Sequence, residues 1–144
     1  MTEKIKILVI EDDELRIQSF KERFFSLFNT DNPKGLIGEV NYVKTSNEAI
    51  HILKENIQFD IIFLDHDLGN RQMVSSEDEN TGSEVVRYIV EHSNNFQHTL
   101  FIIHSFNPVG ADYMLYELSK FTDDVKYIPS IWTKEIFEKY IRIK

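Results

Sequence analysis

Three short clusters in this chain carry side chains able to do chemistry. Asp65-His66-Asp67 stands directly after an apolar run, Ile61-Ile62-Phe63-Leu64. Glu11-Asp12-Asp13-Glu14 follows another, Ile7-Leu8-Val9-Ile10. His104-Ser105 follows a third, Leu100-Phe101-Ile102-Ile103, with Asn107 close behind. Carboxylates at the tip of a buried strand are costly unless they have partners or a cation. Neighbouring carboxylates also raise one another's pKa unless positive charge lies among them. An oxygen-rich group of this kind suits Mg2+ or Mn2+, so Glu11, Asp12, Asp13 and Asp65 are the candidate metal ligands. Histidines beside them can take or give a proton near neutral pH. Asp65, His66, Asp67 and His104 are therefore the candidate catalytic residues. Ser105 and Asn107 are candidates for binding phosphate oxygens, because Asn107-Pro108 reads as a helix start and helix N-termini draw anions.

These clusters meet only if the runs before them are neighbouring strands. Ile5 to Ile10 reads as a first strand, its fully apolar end matching a central parallel strand covered on both faces. A helix follows, with Leu15, Phe20, Phe24, Phe25 and Phe28 as its apolar stripe. Asn29 to Gly38 is a loop rich in breakers. Glu39 to Lys44 is a weak edge strand, and Ser46 is the expected cap of the next helix, which faces Ala49, Ile50, Ile52 and Leu53 inward. Ile61 to Leu64 is the third strand. His66 to Thr81 exceeds the usual βα loop of about 2–6 residues, a length typical of lids and binding loops. Gly82 to Glu91 is a helix with Val85, Val86, Ile89 and Val90 inward. Leu100 to Ile103 is the fourth strand, followed by a helix from Pro108 to about Phe121. Val125 to Ile128 is the fifth strand, and Thr133 to Ile143 the last helix.

Strands alternating with helices predict an α/β fold, a single doubly wound (βα)5 domain over residues 1–144. The expected order of its parallel sheet is 2-1-3-4-5, flavodoxin-like, with ligands bound outside the carboxyl ends of the strands. Strands 1, 3 and 4 are central in that order, so their three clusters should converge.

Each residue also has a plainer role. The acids after the first strand can complement a helix dipole. His66 alone reads as a solvated loop residue, and His104 as a hydrogen-bonded core-edge histidine. Asp67 can cap a turn, and Ser105 and Asn107 can cap a helix. Phe106 and Trp132 read as packing, and His51, His92 and His98 as surface. Convergence of the clusters, rather than any one residue, points to a site.

The 144 residues carry a formal net charge of −8. So acidic a surface disfavours broad nucleic-acid binding, which needs many cationic contacts to phosphate. It leaves room for one phosphate in a locally positive pocket. The chain has no cysteine, hence no disulfide or thiolate metal site. The N-terminal Met1-Thr2-Glu3-Lys4 segment lacks a signal peptide's apolar region, and no run is long enough to span a bilayer. The cytoplasm is the default location.

Leu8-Val9-Ile10-Glu11-Asp12-Asp13 resembles the first strand of response-regulator receivers with its acidic metal-binding pair, here Glu11 and Asp12. Phe59-Asp60-Ile61-Ile62-Phe63-Leu64-Asp65 resembles the strand that ends in their phosphoacceptor aspartate, here Asp65. Thr81-Gly82-Ser83-Glu84 is similar to the start of their third helix, and Ser105 falls where they contact the phosphoryl group. Two departures stand out. Ile128 occupies the position of the receiver Lys before Pro129, and Val125 that of the aromatic switch residue. Leu64-Asp65-His66-Asp67-Leu68 and His104-Ser105-Phe106-Asn107-Pro108-Val109-Gly110-Ala111 are instead similar to a divergent family of cyclic-phosphate processing receivers.

The resemblance implies metal-assisted processing of a cyclic phosphate, on a nucleotide or a nucleic-acid end. Asp65 would be a metal ligand or a nucleophile, and the histidines would serve as base and acid. The alternatives are a stand-alone receiver phosphorylated on Asp65, with a histidine kinase as partner, or a pseudo-receiver that binds a ligand. A haloacid-dehalogenase-like use of Asp65 and Asp67 fits the rest of the chain less well.

Overall fold

The computed structural model describes residues 5–26, 37–68, 73, 75 and 77–129. The expected last helix, Thr133 to Ile143, lies outside them, as do Phe28, Trp132 and most of the Asn29–Gly38 loop.

Five parallel strands form one sheet: β1 (Ile5–Ile10), β2 (Ile37–Val43), β3 (Ile61–Leu64), β4 (Leu100–Ile103) and β5 (Val125–Tyr127). Their order is β2-β1-β3-β4-β5, as the alternation predicts. The helices among the described residues are α1 (Glu14–Ser26), α2 (Ser46–Leu53), α3 (Gly82–Glu91) and α4 (Pro108–Ser119), with a short 3-10 turn at Ser93–Phe96.

β3 and β4 are buried at every position. Side chains alternate across a strand, so a parallel strand with apolar residues on both sides must be covered on both. Leu8, Ile10, Ile62, Leu64, Phe101 and Ile103 pack on one side against Ala49, Leu53, Val85, Val86, Ile89, Ala111, Met114 and Leu118. Ile7, Val9, Ile61, Phe63, Leu100 and Ile102 pack on the other against Phe20 and Phe24 of α1.

Three local expectations need correction. Leu15 is 81% exposed, while Ile17, Phe20 and Phe24 turn inward. Leu15 lies roughly 200° around the helix from Ile17, so it cannot share their face. Ser46 is the first residue of α2 rather than its cap; Thr45 caps it by accepting from the Glu48 N–H. The Ser46 hydroxyl donates to Glu84 instead. The second strand begins earlier than expected and pairs with β1 alone, at the sheet edge.

The expected cap of α4 holds. Asn107 accepts from the Gly110 N–H at 3.0 Å with Pro108 in the first turn. The long β3–α3 connection is tied at its base, where Asp67 and Thr81 form an isolated antiparallel bridge and the Gly82 N–H donates to the His66 carbonyl at 2.8 Å.

Candidate functional site

Register alone lines up the first group. Ile10 pairs with Leu64, and Leu64 with Ile103. The next residues continue the ladder: Asp65 N–H donates to the Ile10 carbonyl at 3.1 Å and His104 N–H to the Leu64 carbonyl at 3.0 Å. Glu11, Asp65 and His104 thus form a row across the three central strands, on the α1 side of the sheet. All three are buried. Beneath them lie aromatic rings, with Phe20 centred 5.4 Å and Phe63 6.4 Å from the His104 ring.

One ligand atom from each of the three lies within 4.8 Å of the others. His104 Nε2 is 3.2 Å from Glu11 Oε1. Glu11 Oε2 accepts from the Asp12 and Asp13 N–H groups at 3.0 and 3.3 Å. Asp65 Oδ1 accepts from the His66 N–H at 2.9 Å, whereas Oδ2 is buried without a hydrogen-bond partner. Burial, and then the neighbouring Glu11 charge, push Asp65 up to about 8. Burial raises Glu11 too, against the pull of Asp65 and Arg16. Burial drives His104 down to about 4, leaving a neutral imidazole. Two crowded carboxyls, a neutral imidazole nitrogen and an unpartnered buried oxygen suit a divalent cation.

Asp12 and Asp13 stand outside this group. Asp13 Oδ1 accepts from the Arg16 N–H at 3.0 Å at the start of α1, the dipole-complementing role foreseen for these acids.

The second group lies on the opposite side, because His66 follows Asp65 and points the other way. His66 is fully buried rather than solvated. Its Nδ1 is 2.8 Å from Asp67 Oδ1. Asn107 Nδ2 donates to the same oxygen at 3.0 Å, and the Met73 N–H to Oδ2 at 2.6 Å. Burial works against ionisation of Asp67, but these hydrogen bonds outweigh it and hold its carboxyl below the usual range. An ionised carboxylate only accepts, so Nδ1 carries the His66 proton and Nε2 is left as an acceptor. His66 Nε2 is buried with no hydrogen-bond partner. Gly110 lies against this ring: a Cβ there would come within 2.4 Å of it.

Ser105 meets the second group only through Asn107. Its hydroxyl accepts from the Asn107 N–H at 3.0 Å, and its carbonyl accepts from the Tyr127 hydroxyl at 3.0 Å. The neighbour of Asp65 on β4 is His104. The site therefore splits into Glu11–Asp65–His104 and His66–Asp67–Asn107, joined through the Asp65–His66 peptide.

A family model described as "Cyclic-phosphate processing Receiver domain" matches residues 7–120. The chain belongs to this receiver family. No curated protein matches it. Solved receivers share its fold. A response regulator from Thermotoga maritima matches with a TM-score of 0.55 at 14% identity, over 98% of each chain. The receiver domain of the histidine kinase CKI1 from Arabidopsis thaliana, complexed with Mg2+ and BeF3-, matches with a TM-score of 0.56 at 21% identity, over 97% of this chain and 91% of that one. The response regulator RcsB in complex with DNA matches with a TM-score of 0.57 at 13% identity. This receiver covers 98% of itself in that match but 61% of the RcsB chain. No helix among the described residues is long and apolar enough to cross a membrane.

Arg16 is the contact that the sequence reading missed. Its Nε lies 3.4 Å from Glu11 Oε1. The available signal was the Asp13–Arg16 spacing of one helical turn, together with the hydrophobic Ile128 where other receivers carry a cation.

Proposed function

We propose that this receiver processes a cyclic phosphate with the help of a divalent cation held by Glu11, Asp65 and His104. The observation that carries the reading is the row itself: two buried carboxyls with raised pKa values beside a neutral imidazole, one oxygen left without a partner. A bound divalent cation neutralises phosphate charge and orients the attacking group. His66 is the proton-handling residue. Asp67 fixes its tautomer and Asn107 holds the Asp67 carboxylate in place, leaving Nε2 to accept a proton from water and return it to a leaving oxygen. Ser105, Asn107 and the α4 N-terminus favour the phosphate oxygens.

The test is an RNA oligomer ending in a 2′,3′-cyclic phosphate, incubated with and without Mg2+ or Mn2+. Metal-dependent ring opening is expected from the native chain and absent from Asp65→Ala and His104→Ala, both still folded. Turnover that survives both substitutions overturns the assignment.

One observation favours a second reading. Asp65 stands at the carboxyl end of β3, in the phosphoacceptor position of the receiver fold, and a histidine kinase would then be the partner. Stable labelling of Asp65 by a small phosphodonor, with no ring opening, would select it.

A further inference from the structure

We propose that Arg16 is the phosphate-binding cation of this site and that Phe106 positions it, an inference that rests on the phosphate reading above. Glu11, Asp65 and His104 are closed off from solvent, whereas the Arg16 side chain is 30% exposed. Arg16 therefore links the buried row to the outside. An anion arriving from solvent meets this guanidinium at the point where it touches Glu11.

Arg16 is held but not used up. Its Nε is 3.4 Å from Glu11 Oε1 and its Nη2 3.9 Å from Asp13 Oδ2, both long for hydrogen bonds. A guanidinium carries five N–H donors in a planar fork, and that fork matches two oxygens of a phosphate. The Arg16 Cζ sits 5.6 Å from the centroid of the Phe106 ring, within cation–π range. Phe106 is 54% exposed. It lies between Ser105 and Asn107, so the ring holds the cation beside the residues proposed to bind phosphate oxygens. Among the described residues, the position just after β5 holds Ile128, buried in the apolar cluster beneath α1, rather than a cation. The acids of the row need positive charge before a dianion can approach, and Arg16 supplies it from α1.

The test measures binding of inorganic phosphate by titration calorimetry, with and without Mn2+, and binding of Mn2+ alone. Native chain, Arg16→Ala, Arg16→Lys and Phe106→Leu are compared. Arg16→Ala should bind phosphate roughly 10- to 100-fold more weakly, while its affinity for Mn2+ is kept or improved because a cation beside the carboxylates is gone. Arg16→Lys keeps the charge without the fork and should fall between. Phe106→Leu should weaken phosphate binding less than Arg16→Ala. Phosphate affinity unchanged in Arg16→Ala overturns the proposal. Loss of both phosphate and Mn2+ binding in that variant also overturns it, since the role would then be structural. Arg16-dependent phosphate binding in a native chain that opens no cyclic phosphate upholds the proposal and refutes the turnover reading alone.

Discussion

Asp65 and His104 respond to pH in opposite senses. Asp65 holds its proton up to about 8 in the fold, against an ordinary value of 3.8. Between those values the folded state keeps a proton that the unfolded chain has released, so stability falls as pH rises. His104 titrates near 4 in the fold against an ordinary 6.5. There the unfolded chain takes a proton the fold refuses, so stability grows as pH rises through that window. Above about pH 6.5 only the Asp65 effect remains of the two, and Glu11 shifts in the same direction as Asp65. In a chelator, the melting temperature should therefore fall between about pH 6.5 and 8, and Asp65→Asn should flatten that fall. A melting temperature that rises across this range would contradict the burial argument. Asp67→Asn tests the other group, since an amide no longer dictates which His66 nitrogen carries the proton. Cyclic-phosphate turnover should drop about 10- to 100-fold in kcat with little change in KM. The sequence made the identities of both groups legible, because carboxylates and histidines at strand ends are conspicuous. It did not reveal their separation into two groups. That depends on Asp65 and His66 facing opposite ways and on His104, not Ser105, being in register with Asp65.

At the scale of elements, glycines let the loops and helix starts close on the site. A Cβ on Gly82 would lie 2.1 Å from the Asp65 carbonyl oxygen, a backbone atom that cannot step aside. Gly82→Ala should therefore cost about 1–3 kcal/mol or more, read as a lower denaturation midpoint. A Cβ on Gly110 would meet the His66 ring instead. Gly110→Ala should displace that ring and lower turnover more than it lowers stability, measured as kcat beside the same midpoint. The starts of α2 and α3 are tied together as well. Ser46 N–H donates to Asn80 Oδ1 at 2.9 Å, and Glu84 accepts from the Asn80 N–H at 3.1 Å and from the Ser46 hydroxyl. Strand and helix existence was readable from apolar runs and period. The cap of α2 was misread because Thr45 and Ser46 are adjacent hydroxyl residues, and only backbone geometry separates a cap from a first turn. Leu15 was misread because a helix face needs phase as well as hydrophobicity.

For the whole molecule, the binding row rests on the sheet's apolar layer, so ligand and fold are linked. Mn2+ bound to the native state alone should raise stability by about 2.7 kcal/mol at a hundred times its dissociation constant, a gain seen as a higher melting temperature and absent in Asp65→Ala. The order β2-β1-β3-β4-β5 was legible because fully apolar runs require both faces covered. The strand alternation that separates the two groups also determines what length changes the gene can tolerate. Deleting one residue from β3 while keeping its apolar packing would carry His66 into the row with Glu11 and His104 and turn Asp65 toward Asn107. An in-frame loss of a single codon within Ile61–Leu64 would therefore exchange a carboxylate for an imidazole at the centre of the row. A one-codon change in the connection between Asp67 and Thr81 would leave the row intact. Natural length variation among functional relatives should accordingly fall in that connection and spare β3.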